Sequence, residues 1–172
     1  QKAEVIVNQP ITGRGSSKSV NHLELALGEE SFSYLPGDSL GIVVKNSQQQ
    51  IEQTAEAIAV KISEKVILEG QSISLESALM NKKEITRIHP KVIQGYALYN
   101  PKLHEAIKSE GRDLLLKISQ QYQLIDLLQE YPSEIKAQQL IDFLQPKAER
   151  LYSIASSLEA YPDEVHLTVA GI

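Results

Sequence analysis

Residues 47–145 carry helical periodicity, whereas the residues on both sides of them alternate like strands. Neither flank is long enough to bury a core alone: three or more strands with a shared apolar face are needed for independent stability. The two flanks, residues 1–46 and 146–172, must therefore fold together as one β-domain, with residues 47–145 inserted into it. This order predicts an α+β chain with segregated strands and helices.

The first flank holds three strand candidates. "AEVIV" is β-branched; in "SVNHLELAL", Leu23, Leu25 and Leu27 alternate with His22, Glu24 and Ala26; "SLGIVVKN" is a short apolar run. Pro36-Gly37 within "YLPGDS" is a turn signal, since proline presets φ and glycine accepts a positive one. The second flank offers "RLYSIASS" and "EVHLTVAGI", separated by a turn at Pro162-Asp163, with Val165, Leu167 and Val169 on one face. In the middle zone, Ser47 and Gln50 have capping-box spacing ahead of an apolar face of Ile51, Ala55, Ile58, Ala59 and Ile62. "VILEGQSISL" predicts a strand and turn, and "SLESALMNKK" returns to helix. Val92, Ile93 and Tyr96 mark a helix that Pro101 closes, and Leu114, Leu115, Ile118, Tyr122, Ile125 and Leu128 form one long stripe. Ala137, Leu140, Ile141 and Leu144 form the last, stopped by Pro146.

A net charge of -5 disfavours nucleic acid and anionic membrane as partners, because phosphate binding draws on clustered Lys and Arg. No apolar run approaches the roughly 20 residues that span a bilayer. The absence of cysteine removes disulfides, thiolate nucleophiles and thiolate-ligated metals. The expectation is a cytoplasmic protein, and the ending "HLTVAGI", in mid-strand by pattern, reads as a fragment of something longer.

Few motifs carry chemistry. "TGRGSSK" lacks the spacing of a phosphate loop and precedes a strand, so it reads as a hairpin connection. His22, His89, His104 and His166 stand apart in sequence, so no metal ligation is expected. In "RLYS", Arg150 and Tyr152 project to one side of a strand and Leu151 and Ser153 to the other. An arginine fork beside an aromatic ring suits phosphate oxygens next to a planar ring system. An edge strand whose arginine pairs with a local carboxylate explains the same four residues equally well.

The wider pattern bears on that choice. "RLYSIASS" resembles the flavin-binding signature of the ferredoxin–NADP reductase superfamily, and "SVNHLELALGEESFSYLPGDSLGIVVKN" is similar to the barrel segment that precedes it. The helical zone resembles the connecting domain of the diflavin reductases, and "TGRGSSKSVNHLEL", "AERLYSIASS" and "DEVHLTV" follow the branch of that family serving sulfite reductase. The resemblance implies an antiparallel FAD-binding β-barrel, incomplete at its C-terminus, with the connecting domain inserted. It implies that Arg150 pairs with the FAD pyrophosphate and Tyr152 packs against the flavin and ribityl region. Ser153 takes the catalytic place near the flavin N5, with the backbone of Leu151 in the same contact segment. Thr168, Val169 and Ala170 line the adenine side, although Ala170 stands where the family often has glycine, and Thr86 matches a threonine near the cofactor. Because a regular strand turns Ser153 away from Tyr152, its role calls for a twist or bulge there.

The resemblance further implies an oxidoreductase. NADPH reduces FAD, and electrons pass through FMN to the sulfite reductase haemoprotein. FMN and NADPH belong to a flavodoxin-like domain and a nucleotide domain of the same polypeptide that are absent from this chain. A diflavin reductase for another acceptor such as a cytochrome, or a flavin-free docking fragment, are the alternatives.

Overall fold

In a computed structural model, residues 3–28 and 33–170 are described. The elements in chain order are β1 (Glu4–Pro10), β2 (Val20–Ala26), β3 (Ser39–Ile42), α1 (Gln48–Ala57), β4 (Lys65–Leu68), β5 (Gln71–Ser74), α2 (Leu75–Asn81), α3 (Pro90–Ala97), α4 (Pro101–Glu110), α5 (Arg112–Gln121), α6 (Leu124–Glu130), α7 (Ala137–Phe143), β6 (Arg150–Ser153) and β7 (Glu164–Ala170). The chain divides into two compact units, one formed by Gln1–Val43 with Glu149–Ile172 and the other by Val44–Ala148.

The first unit is antiparallel sheet. β2 lies between β1 and β7, and β3 pairs with β6. An isolated bridge between Ile154 and Leu167 connects the end of β6 to β7. The apolar faces read from the sequence meet here: Leu25, Tyr34, Ile154, Val165 and Leu167 are buried together, with Leu23, Leu40, Tyr152 and Val169 against them. Among the described residues these strands form separate three-stranded and two-stranded sheets, so the expected barrel is not closed. "SLGIVVKN" is strand only as far as Ile42.

The second unit is helical around Ile51, Leu75, Leu79, Ile93, Tyr96, Leu103 and their neighbours, with the β4–β5 hairpin on it. The hairpin turns on Glu69 and Gly70, at φ 53° and 77°, the pair of positive values a tight turn between twisted strands requires. Ser47 caps α1 by accepting from the Gln50 amide, as its spacing predicts. Three expectations fail for local reasons. The helix begun at Ser47 stops at Ala57, so Ile62 reaches the core from a loop. Pro101 opens α4 rather than simply closing α3, because Asn100 caps the Leu103 amide and proline fits the first helical turn. The long stripe is two helices, since Tyr122 is extended and Asp126 accepts from the Gln123 amide to start α6. No helix among the described residues is long and apolar enough to cross a membrane.

Candidate functional site

β6 is four residues long, and its position is fixed along its length and beyond its C-terminal end. Along its length it pairs with β3 in the register Ser39↔Ser153, Leu40↔Tyr152, Gly41↔Leu151 and Ile42↔Arg150. Beyond its end, the Ile154 amide donates to Asp38 O and the Gly37 amide to Ile154 O, each at 2.8 Å. The Pro36-Gly37 turn is thereby fastened to β6. Gly37 takes φ 94°, the Asp38 amide donates to Leu35 O at 3.0 Å, and the Asp38 carboxylate accepts from the Leu35 amide at 2.9 Å.

A buried hydrogen-bond relay holds the next turn of chain. The Tyr34 hydroxyl donates to Glu164 O at 2.9 Å, which leaves Ser156 to donate to the Tyr34 oxygen at 2.9 Å. Ser156 Oγ in turn accepts from the His166 amide at 3.0 Å. Tyr34 and Ser156 are both buried, so each hydroxyl needs the partners it has. Tyr34 had no assigned role in the sequence; its burial is a product of the fold.

The alternation read from "RLYS" is present in the strand. Arg150 and Tyr152 share the half-buried face with Leu40 and Ile42, while Leu151 and Ser153 face outward, Leu151 at 69% exposure. The β3–β6 ladder runs through Ser153 with no register shift, so the bulge expected there is not present. On the outward face the Glu149 carboxylate lies across Gly41, where an added Cβ would stand 2.5 Å from Glu149 Oε2.

Thr168, Val169 and Ala170 end β7 opposite His22, Asn21 and Val20 of β2. Val169 is half-buried against the sheet core, and Thr168 and Ala170 are exposed. The bridge between Ile154 and Leu167 brings β6 beside this end of β7 in one unit. Thr86 belongs to the helical unit, where its hydroxyl donates to Glu84 Oε1 at 2.6 Å and its amide to the same oxygen at 2.8 Å.

The histidines depart from expectation. His22 and His166, far apart in sequence, become diagonal neighbours because His166 pairs with Glu24 and His22 with Thr168. Their rings meet edge to face with centroids 5.2 Å apart. The alternation of "HLELAL" and "EVHLTVA" already places His22, Glu24, Glu164 and His166 on the faces away from the leucines. The ladder register, which brings them together, is not written in either segment.

Comparison with known proteins shows the family to which the chain belongs. A family model described as "FAD binding domain" matches residues 1–171. The chain is similar to proteins named sulfite reductase [NADPH] flavoprotein alpha-component: 36% identical over 172 residues in Shewanella sp. (strain MR-4), 38% over 173 in Shewanella oneidensis and 39% over 171 in Aliivibrio fischeri. These alignments cover 98%, 98% and 99% of this chain but 28% of each relative, so the chain spans little more than a quarter of their length. A match along almost every residue, across both the strand-rich flanks and the helical insert, identifies the chain as a member of the FAD-binding domain family.

Proposed function

We propose that this chain is the FAD-holding and connecting region of an NADPH-dependent diflavin reductase whose electrons reach a sulfite reductase haemoprotein. The observation that carries this reading is the shared face of Arg150 and Tyr152 on a strand paired along its length, within a chain of the FAD-binding family.

The residues fit the group. The Arg150 guanidinium offers parallel N–H donors to pyrophosphate oxygens, and the adjacent Tyr152 phenol offers a flat surface to a ring system. Strand pairing holds both at fixed backbone spacing, so no backbone freedom need be lost there when a ligand is bound. Ser153 lies one position on with its hydroxyl toward the opposite face, and meets a flavin only at the end of the strand. There the hydroxyl can donate to a ring nitrogen beside the Leu151–Ser153 backbone. The end of β7, with Thr168, Val169 and Ala170, extends the same surface toward the adenine half. Thr86 has its hydroxyl engaged by Glu84 within the helical unit and is not used in this reading.

FAD, when bound, supplies the exchange between two-electron chemistry with NADPH and one-electron delivery through FMN. The helical insert of residues 47–145, acting as a connecting domain, sets the spacing between flavin-bearing domains of a longer cytoplasmic polypeptide. The strands of residues 1–46 and 146–172 contribute to a barrel completed by that polypeptide.

The test is Arg150→Ala in the full-length subunit, with bound FAD measured by absorbance after dialysis. Loss of a charge-assisted hydrogen bond of about 1.5–3 kcal/mol weakens FAD roughly 10- to 150-fold. Wild-type FAD content in the variant, or a colourless wild-type subunit after reconstitution, overturns the assignment.

A further inference from the structure

We propose that His22, Glu24 and His166 form a binding site for one zinc-class divalent ion, bridging β2 and β7. Among the described residues these three side chains bring one ligand atom each to within 4.8 Å of one another. His22 Nε2 and Glu24 Oε1 are 3.1 Å apart. That is close to the roughly 3.4 Å separating two donors on a tetrahedral zinc with bonds of about 2.1 Å. His166, on the neighbouring strand, brings a ring nitrogen to within 4.8 Å of both of these atoms.

The surroundings suit a metal better than two isolated ion pairs. Glu164 Oε2 lies 3.2 Å from His166 Nε2, the carboxylate–imidazole contact that fixes the orientation of a metal-ligating ring. The Tyr161 ring packs against that of His166 at a tilt, with centroids 4.3 Å apart. Side-chain exposures of 28% for His22, 25% for Glu24 and 10% for His166 leave the donors shielded from bulk water yet reachable by an ion. Two imidazoles and a carboxylate select zinc and its neighbours over calcium or magnesium, which take oxygen ligands. Three protein ligands leave a fourth position for water. Such an ion ties together two strands from opposite ends of the chain and needs nothing from the residues of β6.

The proposal is tested by titrating the purified protein with zinc chloride calorimetrically and with cobalt chloride by visible absorption. One ion per chain is expected, with the intense cobalt band of a four-coordinate site and a rise in melting temperature on zinc addition. Glu24→Gln preserves size and weakens zinc at least roughly tenfold, and His22→Ala does the same. Glu164→Gln weakens it about tenfold through the ring it orients. His89→Ala and His104→Ala leave binding unchanged. Circular dichroism establishes that each variant is folded, and His22→Gln serves where His22→Ala is not. Absence of stoichiometric uptake, or uptake that survives both Glu24→Gln and His22→Ala in folded protein, overturns the site.

Discussion

Tyr96 is among the largest wholly buried side chains of the helical unit, and its hydroxyl donates to the Tyr131 carbonyl. Burial favours the neutral phenol and pushes its pKa from 10.0 up to about 12. Because the folded-state value is the higher one, the stabilisation is fully present below pH 10 and is lost as pH rises through about 12. The unfolding free energy from urea titrations should therefore fall across that window by an amount on the order of 2 kcal/mol. Tyr96→Phe should cost about 1 kcal/mol at neutral pH and flatten the alkaline decline. Superimposable alkaline profiles for the two proteins would remove Tyr96 as the cause. Periodicity identifies Tyr96 as a core residue, but nothing near it in the chain points to Tyr131, 35 positions away.

At the scale of single elements, the end of α1 shows how a local signal can be missing while the structure is present. The Ala59 amide donates to Glu56 O and the Val60 amide to Ala55 O, both at 3.0 Å, the paired bonds of a helix end that normally uses glycine. Ala59 takes φ 55° and is exposed, so a strained backbone is held by the two bonds and by Val60 against the core. Ala59→Gly should relieve that strain and stabilise the helical unit by about 0.5–1 kcal/mol, net of the extra unfolded-state freedom. Calorimetry reads this as a higher melting temperature, and a lower one would contradict the helix-end account. Without glycine at position 59, the apolar spacing runs on to Ile62 and makes the helix look longer than it is. The break between α5 and α6 was hidden in the same way, because Tyr122 and Ile125 continue the apolar pattern across a capped restart.

At the scale of the molecule, the helical unit is closed at its base. Asn46 is buried; its amide group donates to Leu79 O at 2.6 Å and Lys83 O at 2.8 Å, and its oxygen accepts from Lys147 Nζ at 2.8 Å. Lys83 Nζ donates to Leu144 O at 2.8 Å, the Lys147 amide to Lys82 O at 2.8 Å, and the Glu84 amide to Gln145 O at 3.0 Å. Residues near the two ends of the unit are thus tied to the same stretch around Lys83. Burial holds the Lys83 ammonium below its ordinary pKa, an effect that Asp142 and Glu69 oppose. Asn46→Ala strands two buried carbonyls and the Lys147 contact, and should cost roughly 2–4 kcal/mol in urea unfolding. A change under about 0.5 kcal/mol would show that water replaces the side chain without loss.

What the sequence determined by itself is what depends on short-range periodicity and on residue type: strand flanks around a helical block, the Ser47 cap, the Pro36-Gly37 turn, and the common face of Arg150 and Tyr152. These follow from geometry that repeats every two or 3.6 residues and needs no partner. Tertiary structure alone decided the pairing of β3 with β6, the fastening of the turn to Ile154, the Tyr34–Ser156 relay and the meeting of His22 with His166. Each joins positions more than a hundred residues apart, and strand register is set by which apolar faces bury together. One residue of slip between β2 and β7 would turn the buried leucines outward and separate the two imidazoles, so the histidine cluster exists only because the core does.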